Sequence, residues 1–296
     1  MRLFLLLQQL LLLVIARQVQ SHVTPRTFKI MPGCNAAQTE IILKEIDIAK
    51  KAAEFAAEKL TKYPYFHAFQ EPTAFDKKEL ENTGKEVFTR IAAMLDGFHM
   101  DNKFTIRCGG EYCGRVRASS AAVTVTKLDG TTDPIVSFCK LFFEPSWSTQ
   151  DHLERYKKAI GNYPLYTDRW SGRVNMQDVS NSRANVILHE LTHTTYVAMP
   201  IKKLLGREAE EELFVTDDIV HNAPLCYKLA RGYHDKSMKQ VEPSDRKKGA
   251  RKAAENAENW ALIASGMYMS KELGVKQIPI KGIADYKWEN PRRAAS

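Results

Sequence analysis

Asn185-Val186-Ile187-Leu188-His189-Glu190-Leu191-Thr192-His193 is the stretch on which the reading of this chain turns. In an α-helix, positions i and i+4 share a face. His189 and His193 can therefore reach a single Zn2+, and Glu190, beside that face, can take a proton from a water polarised by the ion. Such an ion brings the pKa of its water towards neutrality and polarises a carbonyl. The apolar residues before the motif, with Leu191 inside it, predict a buried helix.

Working outward, the periodicity changes twice. Residues 37–62 predict a helix with an apolar stripe of Ile41, Ile42, Ile46, Ile48, Ala49 and Phe55, and residues 76–95 predict a second with Val87, Phe88, Ile91 and Leu95 on one side. Phe104–Cys108, Arg115–Leu128 and Pro134–Phe143 are rich in Val, Thr, Ile and Phe, which predicts three strands with Asp129-Gly130 as a turn. Helical pattern returns at 149–160, 180–198, 202–214, 221–231 and 246–272, with a loop at 161–179 whose Tyr163, Tyr166 and Trp170 precede the motif. Helices, a small sheet, then helices predict an α+β domain that is mostly helical. No stretch has linker composition, so residues 22–296 are expected to form one domain, with a basic, flexible tail from about residue 275.

The full chain has 296 residues, 43 Lys and Arg against 35 Asp and Glu, and a net charge of +8. Hydrophobic residues are 44% and charged residues 26%, which excludes collagen-like and wholly disordered chains. Arg2 followed by the apolar run Leu3–Ile15 is too short for a membrane span and fits a secretory signal, with cleavage expected after Ser21. The expectation is a secreted, extracellular protein with no membrane association after processing. Secretion makes disulfides the default for Cys34, Cys108, Cys113, Cys139 and Cys226, and the odd count leaves one thiol over. The basic run Arg246–Lys252 has no interleaved aromatics, so it predicts a solvated helix start rather than a nucleic-acid site.

Zinc needs a third protein ligand. A histidine six residues after His193 would continue one known pattern, but Met199 stands there. Glu208, Glu210, Glu211 and Glu212 are acidic candidates that also fit the polar face of an amphipathic helix. Val215-Thr216-Asp217-Asp218 is a third option, whose residues could alternatively cap the helix that starts near Ile219.

That last segment resembles the Gly-Thr-x-Asp segment of the aspzincin metalloendopeptidases, the deuterolysin and peptidyl-lysine metalloendopeptidase family. Glu255-Asn256-Ala257-Glu258-Asn259-Trp260-Ala261 is similar to a stretch on the late helix of that family, and Cys34, Cys108, Cys113 and Cys139 resemble its ordered cysteines, the last on a strand before Phe142 and Phe143. The resemblance spans about residues 30–270. It implies a zincin-like domain with one Zn2+ on His189, His193 and Asp218, and disulfides Cys34–Cys108 and Cys113–Cys139 that leave Cys226 odd. It implies a secreted, monomeric endopeptidase acting on protein or peptide substrates. Glu255 and Glu258 match acidic positions that select lysine after the cut, so the resemblance implies cleavage on the N-terminal side of lysine. Val215 departs from the family's Gly. His221 stands where the family has a Tyr that donates to the transition-state oxyanion; a ring nitrogen could also donate, or could bind the metal. The competing expectation is a secreted binding protein on a protease scaffold that has lost hydrolysis.

Overall fold

The computed structural model describes residues 28–96, 104–115, 121–125, 134–162, 174–210, 213–232 and 246–280. The expected signal segment, the Asp129-Gly130 turn and the aromatic loop with Tyr163, Tyr166 and Trp170 lie outside them.

In chain order the elements are β1 (Phe28–Ile30), α1 (Ala36–Lys59), α2 (Tyr65–Phe69), α3 (Lys77–Asp96), β2 (Phe104–Cys108), α4 (Glu111–Arg115), β3 (Ala122–Val125), β4 (Ile135–Phe138), α5 (Thr149–Asn162), α6 (Met176–Ser180), α7 (Arg183–Thr192), α8 (Thr195–Leu204), α9 (Ala223–Ala230), α10 (Arg246–Glu255) and α11 (Ala257–Leu273). The architecture is α+β, mostly helical with a small mixed sheet in the order β1-β2-β4-β3. β1 and β2 run parallel, as do β2 and β4 with Ile106 opposite Val136, while β3 runs antiparallel at the edge with Val123 opposite Ser137. Among the described residues, no helix is long and apolar enough to cross a membrane.

α11 explains the helical layer. Residues 257–270 are buried all round, which is the signature of a helix enclosed by others rather than laid on a surface. It packs against α7, α1 and α6, and α1 packs in turn against α3. α1 begins at a capping box, in which Asn35 Oδ1 accepts from Gln38 N at 2.8 Å and Gln38 Oε1 accepts from Asn35 N at 3.0 Å. α7 starts at Ser182, whose hydroxyl accepts from Asn185 N at 3.4 Å.

Several expected boundaries are corrected. The 180–198 helix is two helices, with His193 capping α7 and α8 beginning at Thr195. The expected helix over 202–214 ends at Leu204, because Gly206 takes φ +69°, and Arg207 and Glu210 then close a turn. The 246–272 helix is broken at Asn256, whose backbone is extended (φ −86°, ψ 117°). The third expected strand stops at Phe138; Lys140–Phe143 is a 3-10 turn, so Cys139 and the aromatic pair lie beyond the strand. Arg115 belongs to α4, and β1 was not expected at all. Of the tail expected from about residue 275, residues 281–296 lie outside the described residues, and Val275–Ile280 are packed against the domain. Ile278 and Ile280 are buried, and Pro279 O accepts from Met176 N at 2.9 Å.

Both disulfides pair as the resemblance implied, Cys34 with Cys108 and Cys113 with Cys139, and Cys226 is a buried free thiol. The second ties α4 to the residue after β4 and so closes a loop around edge strand β3. Replacing Cys113 and Cys139 together by Ser should lower unfolding free energy by about 2–4 kcal/mol through loop-closure entropy. The check is a lower denaturant midpoint than wild type; an unchanged midpoint would show that the bridge does not constrain the unfolded chain.

Candidate metal centre

α7 carries His189 and His193 on one face, and the segment between α8 and α9 brings Asp218 to them. Asp218 Oδ1 lies 2.9 Å from His189 Nε2 and 3.2 Å from His193 Nε2, and the two Nε2 atoms are 3.2 Å apart. Ligand atoms about 2.0–2.1 Å from a tetrahedral zinc are about 3.3 Å from one another, so the triangle has the size that such an ion needs.

The outer nitrogens decide which way each ring faces. His189 Nδ1 is 2.9 Å from Glu258 Oε2, and His193 Nδ1 is 2.8 Å from the carbonyl oxygen of Thr216. With Nδ1 turned outward to an acceptor, Nε2 is the ring atom left to face a metal, so both Nε2 atoms point into the triangle. The donor set, two imidazole nitrogens and a carboxylate oxygen, fits a divalent ion of borderline softness.

Glu258 is 4% exposed. A buried carboxylate must be satisfied by donors, and this one receives the Ser180 hydroxyl, Asn185 Nδ2 at 3.3 Å and the His189 ring. Glu255 is elsewhere engaged. Its carboxylate is 4.0 Å from Arg207 Nη1, and its backbone oxygen accepts from Asp217 N at 2.7 Å. The resemblance set Glu255 and Glu258 side by side as lysine-selecting acids, and this is corrected: the helix is interrupted between them at Asn256 and Glu258 faces inward to His189. A lysine-selecting pair of free carboxylates is not what these two residues form.

Glu190, the candidate base, is 5% exposed, and its Oε2 accepts from Thr124 Oγ1 on β3 at 2.7 Å. His221 is exposed. Its ring centroid lies 5.8 Å from that of His189, with the planes 30° apart, and it offers a ring nitrogen within 4.8 Å of the donor atoms of His189 and Asp218. Of the acidic alternatives, Glu208 and Glu210 fall in the turn after α8, with Glu210 bound to Arg207; Glu211 and Glu212 lie outside the described residues.

Thr124, Thr216, Ser180 and Asn185 were not singled out from sequence. A backbone carbonyl such as that of Thr216 leaves no trace in residue type. Glu258 left one: an acid at the start of the apolar run Trp260–Met269 is placed where the helix is about to be buried.

No protein-family model matches the chain, and no curated protein matches it. The geometry and the residues stand by themselves.

The charges of the three groups of the triangle are coupled. Burial pulls the His189 pKa down, but hydrogen bonds and charges from Asp218 and Glu258 outweigh it and hold the pKa well above the ordinary value. Burial pushes Asp218 up, but hydrogen bonds from His189 and His193 outweigh it and hold its carboxyl well below the usual range. A raised His contributes stability that is complete below its unfolded pKa of about 6.5 and is lost as pH rises through the raised folded value. A depressed Asp contributes stability present above its unfolded pKa of about 3.9 and lost as pH falls through the folded value. Between those limits, a metal must displace the His189 proton. Zinc affinity should therefore rise with pH by up to about one decade per unit. Competition against a chromophoric chelator at several pH values checks this; a flat profile between pH 5.5 and 7.5 (about the range in which histidine titrates) would contradict it.

Glu258→Gln keeps the shape and removes the charge that orients His189. Loss of a ligand's outer partner typically costs about 10–100-fold in metal affinity, and that is the expected rise in the zinc dissociation constant. An unchanged constant in the folded variant would show that Glu258 does not tune the ligand.

Proposed function

We propose that this chain is a secreted, zinc-dependent peptide hydrolase. The observation that carries the reading is the meeting of His189, His193 and Asp218 with both Nε2 atoms turned inward, one residue from a buried glutamate. Two disulfides support an oxidising compartment, as does the expected signal segment.

A zinc ion in that triangle supplies Lewis-acid polarisation of a carbonyl and a lowered water pKa. The chain's own residues do the rest. Glu190 receives a proton at its carboxylate, and the Thr124 hydroxyl fixes the direction in which that carboxylate faces. His221, at the exposed side, donates through a ring nitrogen to the oxygen on which negative charge develops. Asp218 closes the ligand set from a segment outside α7. A preference for lysine is not part of this proposal, because Glu258 is committed to His189.

His221 favours a second reading, a secreted metal-dependent binding protein. If its ring nitrogen moves inward it becomes a fourth protein donor and occupies the coordination position that hydrolysis requires to be open.

Metal content and casein cleavage, with and without a chelator, separate the readings. The hydrolase reading expects one equivalent of zinc and chelator-sensitive cleavage. Stoichiometric metal without cleavage supports the binding reading, and absence of metal overturns both. Glu190→Gln should retain zinc and lose cleavage by at least about 100-fold, the low end of what a positioned base contributes; wild-type cleavage would remove Glu190 from the mechanism. His221→Phe should lower kcat more than it raises KM, since the donated bond is made mainly in the transition state. An unchanged kcat would end that role.

A further inference from the structure

We propose that Asn256 is a positioning residue for the metal, holding the segment that carries Asp218 and His221 at the reach at which Asp218 meets the two imidazoles. The inference rests on the metal reading of the triangle.

Asn256 sits between α10 and α11 and is fully buried. A primary amide has two N–H donors and an oxygen with two lone pairs, and here all are used. Oδ1 accepts from Ile219 N at 2.9 Å and from Val220 N at 3.1 Å. Nδ2 donates to Val220 O at 3.0 Å and to Asn259 Oδ1 at 2.7 Å. The backbone on either side completes the attachment. Asp217 N donates to Glu255 O at 2.7 Å, and Asp217 O accepts from Ala257 N at 3.0 Å. Asp217, Ile219 and Val220 are thus tied to the α10–α11 junction, and Asp218 stands between them.

The segment is fixed at its far end as well. Asn222 adopts φ +71°, costly for a residue with a side chain, and its Oδ1 accepts from Leu225 N at 3.2 Å to start α9. At its near end Thr216 O holds His193 Nδ1. Behind Asn256, Asn259 Nδ2 donates to Phe69 O at 2.6 Å and Cys226 O at 3.1 Å, so the amide that holds the segment is itself held.

Two residues after Asn256, Glu258 orients His189. The run Asn256–Glu258 therefore touches both halves of the triangle, the Asp218 segment through one side chain and the α7 face through the other. The break in the helix is what allows this. In an unbroken helix the Glu255 carbonyl and the Ala257 N–H would be occupied by their own turns, and no bridge to Asp217 could form. A ligand segment held this way is preorganised, so metal binding orders little of it and retains more of its affinity.

The test compares zinc and Co2+ binding in the full chain. Asn256→Ala removes every side-chain bond to the segment, whereas Asn256→Asp keeps the acceptor for Ile219 N and Val220 N and turns a lone pair towards Val220 O. Gln70→Ala is the control. It removes another buried amide, which bonds to Ala253 O on α10 at 3.2 Å and takes no part in the site. The expected result is a zinc dissociation constant raised about 10–100-fold in Asn256→Ala, the usual effect of losing support around a ligand, with Asn256→Asp between it and wild type and an altered Co2+ visible spectrum. Gln70→Ala should lower the melting temperature and leave the zinc constant within about twofold. Wild-type zinc affinity and Co2+ spectrum in Asn256→Ala would overturn the positioning role. A wild-type protein that takes up no metal would overturn the underlying metal reading instead. If neither Asn256 variant folds, hydrogen exchange in the metal-free wild type decides. Slow exchange at Ile219 and Val220, little changed by zinc, supports a preorganised segment, and fast exchange there overturns it.

Discussion

A carboxylate buried beneath an imidazole sets the terms for this structure. Glu258 has lost its water, and an ionised carboxylate so placed is strongly unfavourable unless donors surround it. The donors come from three directions: Ser180 at the end of α6, Asn185 in the first turn of α7, and His189 two turns along. Satisfying one group therefore fixes how α11 lies against α6 and α7. Removing one partner leaves the others with an uncompensated charge, which makes the arrangement cooperative. The same contact chooses the His189 tautomer, so packing and ligand chemistry are settled by one hydrogen bond.

The opposite wall is held by a buried cation. Arg183 opens α7, and its guanidinium donates to Phe142 O at 2.7 Å, Glu144 O at 3.0 Å and Phe143 O at 3.2 Å, with Glu45 at 3.7 Å on its other side. Those carbonyls belong to the turn that leaves β4, and Phe142 stacks on Phe138 at 4.1 Å. The turn cannot continue as strand while its carbonyls serve Arg183 and Cys139 serves Cys113. The sheet is thereby anchored to the first turn of α7. Its edge strand β3 runs alongside that helix, where the Thr124 hydroxyl meets Glu190.

What could be read from the sequence follows from how far each contact reaches. His189 and His193 are four residues apart on a helix, a relation that residue order states directly. The helices over 36–59 and 77–96 were legible because their apolar stripes repeat with the helical period. Asp218 and the cysteine pairs were reached only through a resemblance, since no local rule connects Asp218 with a histidine 25 positions before it. The break at Asn256 was hidden. Apolar periodicity runs straight through Lys252 to Trp260, and what competes with the helix there is the pairing of that amide with Ile219 and Val220 and of the flanking backbone with Asp217, more than 30 residues away. The pairing of Glu255 and Glu258, carried over from the resemblance, failed for the same reason: the interruption at Asn256 turned them apart. The amphipathic 202–214 stretch likewise gave way to a glycine in the left-handed region at position 206.

Among the described residues the site has a buried half and an exposed half. His189, Glu190 and Glu258 are buried, and the donors that orient them come from elements packed in the core. Asp218 is half-exposed and His221 exposed, both on the segment between α8 and α9. Solvent or a ligand meets the triangle from that side, past a ring that can donate a proton or a lone pair. In the proposed metal centre the buried half would orient the ligands, and the exposed half would supply the group whose role depends on what arrives. A ligand-bearing segment pinned at Asp217, Ile219 and Val220 but carrying an exposed His221 separates these demands within five residues. The bonds of Asp217, Ile219 and Val220 hold the backbone on both sides of Asp218, while the His221 side chain is exposed, which is what the proposed division between a fixed ligand and an accessible donor would require.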